Sequence, residues 1–229
     1  MSASLAQLDQ IIVGLEATLG LAPGQTIGAK AAKTDKPKKE QKKEQKKEAK
    51  KPAAAPAADD QPEITKLDIR VGKITKVWKH ETADKLYCEE IDVGEGEPRL
   101  IASGLVKHYS LEQMQGRMLL VMCNLKPRSL VGFKSHGMVL CAVATDADGS
   151  ERVAFVEPPA NAKIGERIHY EGLSGEPWTP AQVEKKKVVV VAGEHLSSDA
   201  NGVAKWKNHV LMTSAGPCAS PSVCNGILR

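Results

Sequence analysis

The residues best equipped for chemistry in this chain are lysines, and they are gathered in one place. Between Lys30 and Lys51 eleven Lys accompany four acidic residues, a local charge of +7. Residues 1–29 carry −2, and from Pro52 to Arg229 there are 21 basic and 22 acidic residues, so the formal charge of +4 belongs to one segment. Ammonium groups at this density attract polyanions. The repeat KKEQKKEQKKEAKK from Lys38 to Lys51 sets Glu40, Glu44 and Glu48, and likewise successive Lys, at like-charged i,i+4 positions; only i,i+3 pairs such as Glu40 with Lys43 support a helix. The segment is expected to be loosely ordered alone and to become more helical when phosphates neutralise Lys38, Lys39, Lys42, Lys43, Lys46 and Lys47. A solvated spacer that keeps the chain soluble is the alternative.

Catalytic patterns are missing. The sequence holds no GxxxxGK[ST], HExxH, GxSxG or synthetase nucleotide-binding motif, so an enzyme is not expected. Cys88, Cys123, Cys141, Cys218 and Cys224 form no CxxC pair and read as buried reduced thiols. His80 and His136 lack the company that makes a metal site, and Asp146 to Gly149 reads as a hairpin turn, not a calcium loop. No metal or cofactor is expected. With no signal peptide and no apolar run near 20 residues, the expectation is a cytoplasmic protein without membrane contact.

The elements that must position these groups follow from periodicity. Leu5, Leu8, Ile11, Ile12, Leu15 and Leu19 form one helical stripe within residues 1–29. It is too short to be stable alone, so it is expected to dock on a partner chain, with packing on its own barrel as the alternative. Residues 30–62 read as a Lys-rich and then Pro/Ala-rich linker. From Leu67 the period changes to two: Leu67 to Val77, Leu86 to Val93, Leu100 to Ser103, Met118 to Leu125 and Met138 to Thr145 read as strands. Ser110-Leu-Glu-Gln113 is a capping box that opens one short helix before Gly116. Three strands, a helix and two strands give an all-β chain built on an OB-fold barrel. Arg152 to Val156 continues it, and Lys187 to Ala192 reads as a further β-rich run.

Seven segments carry a resemblance: LDIRVGKI (Leu67 to Ile74), ADKLY, EEIDVGE, SGLV, LEQMQGRM, CNLKP and SHGMVLCA (Ser135 to Ala142), followed less densely by PPANAKIGERI and GEP. Together they resemble the tRNA-binding domain of the methionyl- and tyrosyl-tRNA synthetase appendages and of the multisynthetase-complex factor that is the precursor of endothelial monocyte-activating polypeptide. The resemblance implies a tRNA-binding OB-fold at 63–167 and a small β-rich C-terminal domain at 168–229 that mimics a dimer interface within one chain, leaving the globular part monomeric. It further implies tRNA contact through the barrel face and its loops.

On that face Lys85 suits a phosphate or a base edge. Ser135 and Met138 match the family's S-x-x-M element, and Asn124, Lys126 and Arg128 leave the fourth strand in a loop with Pro127. Ser103 joins them. Ser103 and Ser135 could instead satisfy backbone at turns, Met138 could be core, and Lys126 and Arg128 could be solvated charges. Lys73, Lys76 and Lys79 are secondary contacts; spaced by threes, they share a face only if Gly72 or a bulge shifts the register. Eight aromatic residues in all argue for binding by charge and RNA shape over rows of stacked bases. The expected function is an auxiliary factor that delivers or holds tRNA for aminoacyl-tRNA synthetases, largely without sequence specificity. The N-terminal helix would dock on a synthetase, the methionyl enzyme or another. The competing readings are a synthetase-complex scaffold with secondary RNA binding and a cytokine-like fragment released by proteolysis.

Overall fold

The computed structural model describes residues 61–229. The N-terminal stripe, the lysine repeat and residues 30–60 of the linker lie outside the described residues. After Pro62 one turn of 3-10 helix, Glu63–Lys66, buries Ile64 and leads into β1 (Ile69–Lys79). β2 (Tyr87–Asp92) and β3 (Arg99–Ser103) follow as an antiparallel meander. A short helix α1 (Leu111–Met114) precedes β4 (Met118–Met122), which returns beside β1. The helix begins where the capping box placed it: the Ser110 amide donates to Gln113 Oε1 at 2.9 Å and the Gln113 amide to Ser110 Oγ at 3.4 Å. β5 (Arg128–Leu130) and β6 (Phe133–Ser135) form a separate hairpin, and β7 (Met138–Val139) completes a sheet of order β3-β2-β1-β4-β7.

This sheet curls into an OB-type barrel for local reasons. At Gly72 a Cβ would sit 2.8 Å from Ile91 and 2.9 Å from Val121, so only glycine lets β1 approach the interior so closely. A bulge between Ile74 and Lys76 then bends the strand.

β8 (Cys141–Thr145) and β9 (Glu151–Phe155) pair through the turn at Asp146 to Gly149, whose hairpin closes with Asp146 N to Ser150 O at 2.9 Å. The expected strand from Met138 to Thr145 is interrupted at Leu140, where the chain passes from the first sheet to a second. That second sheet continues through β10 (His169–Tyr170), β11 (Leu196–Ser198), β12 (Ala204–Trp206), β13 (His209–Thr213), β14 (Gly216–Pro217) and β15 (Ile227–Leu228), in the order β10-β13-β12-β11-β15-β8-β9 with β14 beside β13. Cys141 and Arg229 exchange two backbone hydrogen bonds of 2.8 Å, which ties the last strand to the barrel.

Two short helices, α2 (Pro180–Lys185) and α3 (Val188–Gly193), correct one expectation: Lys187 to Ala192 is helical, not a strand. Lys187 adopts φ +52° and starts a new helix directly after α2. Only Val188 and Ala192 are buried, a spacing of four that matches one helical face, and this packing overrides the β preference of four consecutive valines.

Two hydrophobic cores share the same strands. Ile74, Tyr87, Ile91, Ile101, Leu119, Val121, Val139 and Phe155 fill the barrel. Leu120, Met122, Leu140, Ala142, Ala154 and Val156 point the other way and pack with Tyr170, Val183, Leu196, Trp206 and Leu211 of the extension. β4, most of β8 and the end of β9 at Ala154 and Phe155 are therefore covered on both faces, which explains the unbroken apolar runs Met118–Met122 and 141–144. Four cysteines are buried free thiols and Cys224 is exposed. Burial pushes Cys123, Cys141 and Cys218 up to about 12.

Candidate nucleic-acid interface

In OB-folds the exposed face of the second and third strands, flanked by the loops after the first and fourth strands, takes oligonucleotides. Here those loops are the β1–β2 turn, residues 80–86, and the excursion from Cys123 to Gly137 that carries the β5–β6 hairpin. Phe133 of the hairpin reaches His80 of the turn, with ring centroids 6.4 Å apart. From Cys123 to Met138 the chain has Lys126, Arg128 and Lys134 and no carboxylate.

The excursion is held at its neck. Arg99 donates through Nη1 to Cys123 O at 2.5 Å and to His136 O at 2.9 Å, gripping both ends. Glu95 fixes that guanidinium with two bonds of 2.7 Å and is bridged by Arg70 to Asp68. The Arg99 hydrogen bonds hold the Glu95 carboxyl below its usual range. Ser135 Oγ accepts from Ala102 N at 3.1 Å and donates to Gly137 O at 3.0 Å, pinning β6 to β3. At the hairpin tip Val131 (φ +48°) and Gly132 (φ +89°) make a two-residue turn with both central residues left-handed, matching the twist of the strands.

The expected site residues divide into two groups. A groove of about 940 Å³ between the hairpin and α2–α3 brings together Ser103, Lys126, Arg128, Ser135 and Met138, and adds Lys187 and Arg229. Lys85 lies exposed in the β1–β2 turn and does not line that groove. Asn124 is buried: its Oδ1 accepts from Asp68 N at 2.8 Å, while Nδ2 donates to Lys66 O at 2.9 Å and Trp178 O at 2.8 Å. Its amide thus clasps the barrel to the extension. Ser135 is likewise buried and bonded to backbone, and Ser103 donates to Glu89. Met138 is partly buried against the outer core. Lys126 pairs with Glu184 and Arg229 with Glu151, whereas Arg128 and Lys187 have no ion-pair partner among the described residues.

The bulge settles the register of the secondary lysines. Lys73 pairs with Asp92 and Lys76 with Glu90, so both project from the outer face; Lys79 pairs with Tyr87, a residue of the barrel interior, and leaves at the rim on the other side. The lysines of the 38–47 repeat lie outside the described residues.

The candidate face carries further residues that the sequence reading does not assign to it. Trp78, His80, Phe133 and Lys134 flank the outer face; the interleaving of aromatic and basic residues in KITKVWKH (Lys73–His80) is the signal that could have found the first two. Beneath this face, Glu89 is fully buried with Oε2 unpaired, and desolvation pushes its carboxyl up to about 7, partly opposed by the Ser103 hydrogen bond.

Residues 69–167 match a family described as "Putative tRNA binding domain". The chain is 48% identical over 172 residues to the cytoplasmic methionine–tRNA ligase of Arabidopsis thaliana, covering 75% of this chain and 21% of that protein. It is 39% identical over 174 residues to the aminoacyl tRNA synthase complex-interacting multifunctional protein 1 of Cricetulus griseus, covering 75% and 47%. It therefore spans less than half the length of either relative. Among solved structures, the C-terminal domain of Plasmodium vivax p43 matches with a TM-score of 0.66 and 36% identity, covering 72% of this chain and 98% of that one. Nearly all of that solved domain is matched here, and the family pattern runs through the barrel from β1 to Arg167, so the chain belongs to the tRNA-binding domain family.

Proposed function

We propose that this protein is a cytoplasmic, non-catalytic auxiliary factor that holds or delivers tRNA to aminoacyl-tRNA synthetases, largely without sequence specificity. The observation that carries the reading is the carboxylate-free excursion after β4, held rigidly by Arg99 beside the β1–β2 turn on the face where OB-folds take oligonucleotides. In this reading Lys85, Lys126, Arg128 and Met138 contact tRNA, with Lys73, Lys76 and Lys79 as peripheral phosphate contacts. Asn124, Ser103 and Ser135 spend their hydrogen bonds inside the protein and act as positioning residues. Residues 63–167 supply the binding face, and 168–229 buttress it by covering the outer side of β4, β8 and β9. That cover also supports a monomeric globular part, since no naked barrel face is left there for a second copy. Residues 1–29 would dock on the synthetase and tether tRNA near it.

The lysine repeat would add a grip through counterion release. If it neutralises on the order of 6 phosphates, it contributes roughly −4 to −5 to the slope of log affinity against log salt. Titrating tRNA at several salt concentrations with the full chain and with a deletion of Lys38 to Lys51 tests this. The deletion should weaken binding and flatten the slope; an unchanged slope removes the repeat from the mechanism. A full chain that does not bind tRNA at all defeats the proposal.

A further inference from the structure

Most aromatic side chains of this protein have a packing role. Tyr87, Phe155, Tyr170 and Trp206 are buried, Tyr109 stacks on Phe155, and Trp178 joins the outer core beneath Lys66. Trp78 and Phe133 belong to neither core. They meet on the outer face of the barrel, edge to face, with centroids 6.2 Å apart and planes at 73°, and His80 also meets Phe133 edge to face at 6.4 Å. Two segments more than fifty residues apart in sequence are thus brought together to build a partly exposed aromatic step.

The surroundings fit an anion-bearing ring better than an apolar partner. Lys76 Nζ lies 5.1 Å from the Trp78 centroid and pairs loosely with Glu90 at 3.6 Å. Lys79, Arg128 and Lys134 are exposed nearby in sequence on the two segments, with no ion-pair partner among the described residues. The hairpin that presents Phe133 is pre-organised by the Arg99 and Ser135 bonds, and its tip keeps Val131, a β-branched residue, left-handed and 62% exposed. Backbone strain of this kind persists where the surroundings over-determine it, and it gathers at binding sites.

From these features we infer that Trp78 and Phe133 form a stacking platform for one unpaired nucleobase, with Lys76 on the same strand face and the hairpin cations Arg128 and Lys134 to receive the phosphates beside it. The inference rests on the proposed RNA binding and sharpens it: the barrel face distinguishes single-stranded nucleotides from duplex, because a base inside a helix has no free π face to offer.

The test uses the full chain, with Trp78→Leu/Phe133→Leu as the disrupting variant and Trp78→Phe as the conservative one, against an unstructured nine-nucleotide RNA, a duplex RNA and tRNA. The double variant should lose about 10-fold in affinity for the single strand, keep its duplex affinity, and keep its salt slope. Trp78→Phe should retain most of the affinity. Tryptophan emission should be quenched by the single strand in the parent and not in Trp78→Phe, whose Trp178 and Trp206 remain as internal controls. If the parent binds tRNA and the double variant binds the single strand equally well, the platform is overturned while the proposed function stands; a site for an apolar peptide would give that result. An equal loss on single strand and duplex also overturns it. A parent that binds the single strand through Trp78 but not tRNA would sustain the platform and defeat the proposed function.

Discussion

The two sides of the barrel wall follow opposite rules. On β4, β8 and β9 the outward residues Leu120, Met122, Ala142 and Ala154 are as buried as the inward ones, because the C-terminal extension covers them. On β1 to β3 the outward residues include Lys73, Lys76, Trp78 and Leu100, and water reaches them. In the proposed reading the interface is chosen by subtraction: the extension covers one side of the wall and leaves the other exposed. A barrel with this strand order has two such sides, and the position of the covering segment decides which one can bind.

Breaking the covered side should have the largest effect. Leu120→Ala removes a fully buried side chain from the outer core and should destabilise by roughly 2 to 5 kcal/mol, whereas Leu100→Ala, 40% exposed on the wet side, should change stability by less than about 0.5 kcal/mol. Urea unfolding of the pair measures the contrast directly, and equal losses would mean that the two sides are not different in kind.

The wet side conceals a liability that pH can expose. Glu89 ionises near 7 in the fold against an ordinary 4.5. The folded state thus binds the proton more tightly. The stability this confers is full below 4.5 and declines as pH rises through 7, by up to about 3 kcal/mol at 1.36 kcal/mol per unit. Glu89→Gln should be more stable than the parent at pH 8 and nearly equal to it at pH 5, as read from urea midpoints. A parent with the same stability at both pH values would show that the buried carboxyl finds a partner when charged.

The smallest effect concerns the hairpin tip. Val131→Asn suits the left-handed conformation and should stabilise by about 1 kcal/mol. If the tip serves only to present Phe133, thermal denaturation should register the gain while RNA affinity stays the same.

What was legible in sequence was whatever is local. The alternation after Leu67 located β1, and Ser110 with Gln113 located the one helix of the barrel, because strand faces and caps are set by residues a few positions apart. What a local reading cannot reach depends on non-local contacts. Four valines after Lys187 look like a strand until Val188 and Ala192 are seen on one buried helical face. Asn124 and Ser135 look like groups waiting for RNA because their partners, Trp178 and Ala102, lie 54 and 33 positions away. Trp78 carries a local signal in KITKVWKH, but its pairing with Phe133, 55 positions on, exists only once the hairpin folds across the sheet. The spacing of Lys73, Lys76 and Lys79 makes their facing conditional on a bulge, but its place at Thr75 is set by the pairing with β2.

The grip of Arg99 on Cys123 and His136 has a consequence for how such a surface diversifies. With both ends of the excursion bound to one guanidinium, and Asn124 and Ser135 anchored as well, the part left free to vary is the hairpin tip between Arg128 and Phe133. Exchanges confined to that tip should leave the strand registers intact. Transplanting the hairpin of one relative onto the barrel of another should then transfer its ligand preference while the recipient keeps its own fold.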